Sequence, residues 1–113
     1  MQRTNFKMEY ENITMTAGDT VAFNVIMTDF EGDPITVDSA SFKVMSTSSR
    51  TQFEKTIGNG ITQEAGLMTV RVAPIDTRTK PAGEYFYKFT VTVNNDVFTV
   101  KRGLFTIEAD AKY

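Results

Sequence analysis

Asp29-Phe30-Glu31-Gly32-Asp33 is the stretch of this sequence where side chains able to do chemistry recur at regular spacing. Three carboxylates at alternate positions around a glycine are oxygen ligands of the kind a calcium loop uses. Asp29, Glu31 and Asp33 are therefore the candidate metal ligands of the chain. The stretch lacks the downstream bidentate glutamate of an EF-hand. A turn accounts for the same residues without an ion, with Gly32 supplying a positive φ and Pro34 fixing the residue after it. The expectation is a turn, with no metal and no cofactor assigned.

What is missing bounds the rest of the chemistry. The 113 residues include no histidine, no cysteine and no tryptophan. Without cysteine there are no disulfides, thiol nucleophiles, Cys-ligated zinc sites or iron–sulfur clusters. Without histidine there is no Ser-His-Asp or Cys-His arrangement, and the commonest general base at neutral pH is gone. Seven aspartates and seven glutamates could supply a glycosidase-like pair. That chemistry also needs a deep cleft, for which a small β-domain has little room. No catalytic residue is assigned, and a non-enzymatic domain is expected.

The net charge of −2 argues against a phosphate-neutralising surface and hence against nucleic acid. Lys80, Lys88, Lys101 and Arg102, interleaved with threonines, read as a solvated strand face. Phe30, Phe53, Phe86 and Tyr113 are candidate outward-facing aromatics. Sugar-binding sandwiches stack ligands on such rings, but their favoured tryptophan is absent. Core filling is the ordinary reading for each ring, and contact with another subunit the next. Asn12-Ile13-Thr14 matches a glycosylation acceptor that carries no meaning without a secretion signal. Met1 to Thr20 contains no apolar signal-peptide core, and no window approaches the ~20 apolar residues of a membrane helix. The expected protein is made in the cytoplasm, is soluble and has no membrane partner.

The elements that must position these residues read with period two. Val21, Phe23, Val25 and Met27 alternate with Ala22, Asn24 and Ile26; Tyr85, Tyr87, Phe89, Val91 and Val93 alternate with Phe86, Lys88, Thr90 and Thr92. Similar alternation around Phe42 and Val44, and around Met68, Val70 and Val72, brings the count to about seven strands. These fall at 6–15 (broken near Glu11-Asn12), 20–29, 39–46, 52–57, 66–73, 84–93 and 97–108. Asn59-Gly60 has the form of a two-residue hairpin turn, and Asn94-Asn95-Asp96 turns the longest strand back. Little or no helix is expected beyond one turn around Ile75 to Thr79. The spacing predicts an all-β chain: one immunoglobulin-like antiparallel β-sandwich over 1–113, with its core at about 6–108 and a polar tail at 109–113. A small barrel is the competing architecture.

Two local features sharpen that reading. Pro81-Ala82-Gly83-Glu84-Tyr85-Phe86-Tyr87 has the spacing of a tyrosine corner, in which the Tyr85 hydroxyl bonds to upstream backbone. Lacking the usual disulfide and its packing tryptophan, the core is expected to be filled by Tyr85, Tyr87, Phe23 and Phe42. The last strand changes parity, because Phe98 and Val100 share one alternation while Phe105 and Ile107 share the other. One extra residue restores the register, and Lys101-Arg102-Gly103 places the predicted bulge near Gly103.

The turn residues also occur in an informative order. Ala17-Gly18-Asp19-Thr20 is followed by Gly32-Asp33-Pro34-Ile35, then Asp76-Thr77, Gly83-Glu84-Tyr85 and Arg102-Gly103-Leu104-Phe105. This series, spanning about residues 14 to 108, resembles the immunoglobulin-like N-terminal domain of phage baseplate upper proteins and related tail, fibre and head-appendage proteins. The resemblance implies a phage or prophage virion structural protein that works by docking to other virion proteins or to copies of itself. In that family the domain continues into a fibre or receptor-binding region, so this chain is expected to be either a complete small protein or an excised domain. A carbohydrate- or cell-surface-binding module is the alternative. Edge strands, with the segment before Asn12 or the tail after Glu108, are the expected contact surface.

Overall fold

The computed structural model describes residues 9–29 and 31–109. Its elements in chain order are β1 (Glu9–Tyr10), β2 (Ile13–Thr16), β3 (Val21–Ile26), β4 (Ser39–Met45), β5 (Thr51–Ile57), β6 (Gly60–Glu64) and β7 (Leu67–Val72). The short helix α1 (Pro74–Thr77) follows, and then the two long strands β8 (Gly83–Val93) and β9 (Asp96–Glu108). The strand order is β1-β9-β8-β4-β5-β6-β7-β3, with β2 also on β9. Two layers result: β1/β2-β9-β8-β4-β5 and β6-β7-β3. They are joined where β5 meets β6 through Thr56↔Gly60 and Ile57↔Ile61. A closed barrel would also need β3 bonded to β2, and among the described residues β3 pairs only with β7. The fold is an immunoglobulin-like β-sandwich.

Alternation along each strand produces the core between the layers. On β8, Tyr85, Tyr87, Phe89, Val91 and Val93 are buried while Glu84, Phe86 and Lys88 face solvent. Burying a large apolar side chain stabilises by about 1.5–3 kcal/mol, so one such strand face holds much of the margin of a small domain. Phe42 sits at the centre, fully buried. Its ring centroid lies 5.2 Å from Phe23, 5.4 Å from Tyr87 and 6.1 Å from Phe105. Tyr87, Phe42 and partly buried Phe23 thus occupy the middle of the sandwich, as expected. Tyr85 forms the corner, its hydroxyl donating to the Pro81 carbonyl at 2.6 Å.

Four expectations change. Among the described residues nine strands replace about seven, because the N-terminal strand is split at Glu11-Asn12 and β6 is an additional strand; the part of that first strand before residue 9 lies outside the described residues. The sandwich is not wholly antiparallel: β1 and β2 run parallel to β9. Asn59-Gly60 is not a hairpin. Gly58 and Gly60 take φ of 87° and 99°, and the chain makes a tight loop and continues in the same direction, passing from one layer to the other.

The bulge in β9 lies at Val100, not near Gly103. Phe89 pairs with Lys101 and Thr90 with Thr99, leaving Val100 extra, so that Val100 and Lys101 both turn inward. Gly103 serves another purpose: a Cβ there would meet the Glu11 carbonyl oxygen at 2.2 Å. The N-terminal segment runs parallel beside β9 here, with Glu11 against Gly103, and only glycine permits the approach.

Three further contacts position the outer elements. Pro74 begins α1, and the Ala73 N–H donates to Asp76 Oδ2 at 2.7 Å. The helical turn sits one residue earlier than its expected start at Ile75. Thr77 is fully buried and accepts the Gly18 N–H at 3.0 Å, tying the entry to β3 to the β7–β8 connection. The Tyr87 hydroxyl donates to the Glu11 carbonyl at 2.7 Å, holding the break between β1 and β2 against the sandwich.

Candidate functional site

Asp29, Glu31 and Asp33 do come together, their carboxylate oxygens lying within 4.8 Å of one another. The geometry is that of a turn. Asp29 Oδ1 accepts the N–H groups of Glu31 and Asp33, both at 2.9 Å, and Gly32 takes φ 87°. The Asp33 carbonyl accepts the Asp29 N–H at 2.9 Å, and Thr28 bridges to Pro34. Calcium asks for six to eight oxygens, whereas here one oxygen of the most enclosed carboxylate already holds two backbone donors. These are the hydrogen bonds of the expected turn.

The aromatic candidates separate. Phe53 packs inward against Phe42 and Phe105, at centroid distances of 6.4 and 5.9 Å. Phe86 faces outward and is 44% exposed. Phe30 and Tyr113 lie outside the described residues. The cations separate too. Lys101 does not belong to a solvated face: the bulge turns it inward, where it pairs with Glu11 and its ammonium lies 5.7 Å from the Phe23 ring centroid.

Lys88 and Arg102 remain on the outer face, directly opposite each other on β8 and β9. Lys43 on β4 continues the line on the other side of Lys88. Three cations therefore stand side by side across three strands. Glu54 lies opposite Lys43 at one end and Tyr10 opposite Arg102 at the other. Like charges placed directly opposite oppose strand pairing by up to about 1 kcal/mol each. The ion pairs Lys55–Asp76 and Lys101–Glu11 do not involve this row, and Glu54 stands beside its Lys43 end.

Two residues further along the strands, about 7 Å away, runs an apolar row. Met45, Phe86 and Leu104 are neighbours across β4, β8 and β9. The apolar row and the Lys88 and Arg102 part of the cationic row, with Tyr10 and Asn12 at one side, line a shallow concavity of about 480 Å³. Tyr10 is 68% exposed; Arg102 donates to its hydroxyl and stacks its guanidinium 4.8 Å from the ring centroid. Sequence reasoning missed both Tyr10 and Lys43. The Glu11-Asn12 break hides the parity of Tyr10. Lys43 joins Lys88 only through strand pairing.

No family model and no curated protein matches the sequence. Among solved structures the chain is similar to CopC from Methylosinus trichosporium OB3b, with 13% identity, 90% of this chain and 88% of that one covered, and a TM-score of 0.53. It is also similar to the extracellular domain of the voltage-gated sodium channel beta4 subunit, with 12% identity, coverage of 90% and 93%, and a TM-score of 0.45. The likeness to CopC is one of fold. No helix among the described residues is long and apolar enough to cross a membrane.

Proposed function

We propose that this domain is a non-catalytic structural protein of a phage or prophage virion, docking onto a partner protein through the outer face of its larger sheet. The observation that carries the docking reading is the apolar row Met45–Phe86–Leu104 lying beside the cationic row Lys43–Lys88–Arg102. An exposed aromatic side chain flanked by half-buried methionine and leucine, next to arginine, is what protein interfaces use as an anchor. Cations set side by side, as Lys88 and Arg102 are, are relieved by acidic groups on the partner. The occupant this face fits is a protein segment with one apolar side and one acidic side. A nucleic acid would satisfy the cations but leave Met45 and Leu104 uncovered. The virion assignment is supported by the order of turn motifs from Gly18 to Phe105, and it makes the protein a product of the bacterial cytoplasm that is built into the particle. Tyr10 precedes Asn12, in line with a role for the N-terminal segment in the contact.

The test is a binding series against the purified products of neighbouring genes, with the wild type, Phe86→Ala and Lys88→Glu. One of these products is expected to bind, more weakly as salt rises, with at least about tenfold loss in each variant. Binding unchanged by both variants, or no binding to any neighbouring product, would overturn the proposal. A second reading, carbohydrate or cell-surface binding, is favoured by the exposed rings of Tyr10 and Phe86 in one concavity. A glycan array on which binding requires Phe86 would support it, and a blank array would remove it.

A further inference from the structure

The second layer ends in an edge strand that carries no protection. Among the described residues β3 pairs with β7 alone, in six-residue register from Val21↔Val72 to Ile26↔Leu67 with no bulge. No described strand pairs with the row of backbone N–H and C=O groups on its other side. Natural sheets blunt such edges with charge, proline, bulges or short strands. Two other margins follow that rule: β5 carries Glu54 and Lys55 and has a register shift beside Met45, while β2 is a stub of four residues. β3 and its flanks, Thr20 to Thr28, contain no charged residue, proline or glycine.

We infer that β3 is a self-pairing edge, through which two copies of this chain join antiparallel about a two-fold axis at Asn24. The backbone groups along the edge fix the occupant as a β-strand. Between Thr20 and Thr28 no like charges meet across the axis, which makes the same strand of a second copy an acceptable one; Asp19 and Asp29 come opposite each other only beyond the strand ends. Facing of side chains then limits the register. Val21, Phe23 and Val25 pack against the core, while Ala22, Asn24 and Ile26 are exposed. Inward residues stay opposite inward residues only when the paired numbers sum to an even value. Centring on Asn24 lays Ile26, 70% exposed, against Ala22 of the second copy and sets Phe23 against Val25 on the inner side. The apolar patch made by Ile26 and its neighbour Leu67 is covered, and the half-buried inner face of β3 becomes continuous between copies.

This surface lies on the opposite layer from the docking face, so its test is separate from that of the proposed function. Light scattering over a concentration series is expected to show a mass rising from 12.7 kDa toward twice that value. Asn24→Lys places two ammonium groups against each other across the axis and is expected to hold the mass at that of the monomer. Phe86→Ala is expected to leave self-association unchanged. Because the chain has no cysteine, Asn24→Cys gives a single thiol at the axis, which is expected to cross-link two chains on mild oxidation. Gln52→Cys on the β5 edge is the control expected to remain monomeric. A monomeric mass at every concentration, a dimer that survives Asn24→Lys, or cross-linking no faster at residue 24 than at residue 52 would overturn the inference.

Discussion

Replacing Gly103 by alanine adds one methyl group and probes how the N-terminal strand is held. Its backbone φ is not in the positive range, so alanine meets no conformational penalty and the effect is one of space. The new Cβ would stand 2.2 Å from the Glu11 carbonyl oxygen and 2.8 Å from the carbonyl carbon, both below the 3.0 Å that real Cβ contacts respect. The segment Glu11-Asn12 must retreat from β9. Three hydrogen bonds depend on its position: Tyr87 hydroxyl to the Glu11 carbonyl at 2.7 Å, Leu104 N–H to Asn12 Oδ1 at 3.0 Å, and Glu11 N–H to the Arg102 carbonyl at 3.0 Å. At about 0.5–1.5 kcal/mol each, their loss comes to roughly 1.5–4.5 kcal/mol. Urea unfolding followed by tyrosine fluorescence is expected to show a midpoint lowered by about 1–2 M, with Tyr10 displaced from the docking face. Gly32→Ala is the comparison. There φ is 87° but a Cβ meets nothing within 4 Å, so only backbone strain of about 1 kcal/mol is expected. A Gly103→Ala cost no larger than that of Gly32→Ala would refute the close-approach argument.

Tyr85→Phe removes the 2.6 Å hydrogen bond to the Pro81 carbonyl while keeping the ring, and is expected to lower stability by about 1–2 kcal/mol in thermal or urea unfolding. Lys101→Met exchanges an inward ammonium for an apolar side chain of similar length over Phe23. Because the Glu11 it leaves unpaired is 58% exposed, the change in unfolding free energy is expected to stay within about 1 kcal/mol, whereas Lys101→Glu is expected to destabilise by clearly more. If the Asp29 turn is only a turn, millimolar calcium is expected to leave the melting midpoint within about 1 °C of its value in chelator.

Most of the sandwich was legible in the sequence because each strand with one buried face alternates with period two, and that pattern is local. Tyr85, Phe42 and the β8 run could be assigned to the core from spacing alone, and the tyrosine corner from four residues of turn and strand. The parity change between Val100 and Phe105 likewise required an extra residue in the last strand. Its position did not follow. Glycine at 103 was the visible candidate, yet that glycine answers to the Glu11 carbonyl, a partner distant in sequence. β6 was lost for a related reason. Gly58-Asn59-Gly60 has the composition of a chain reversal, and only the pairing of β5 and β6 with different neighbours shows that the direction is kept.

The missing histidine, cysteine and tryptophan are properties of the sequence, and they confine the available chemistry however the chain folds. The strand faces are set there too, because a period of two sorts side chains before any strand finds its partner. Which strands become neighbours is decided only in three dimensions. Lys43, Lys88 and Arg102 are far apart in the chain and form a row because β4, β8 and β9 pair in one register. The same pairing sets Phe86 between Met45 and Leu104 and leaves β3 with one side open. Alternation states which way a residue points. Only the closing of backbone hydrogen bonds between distant strands states what it stands beside.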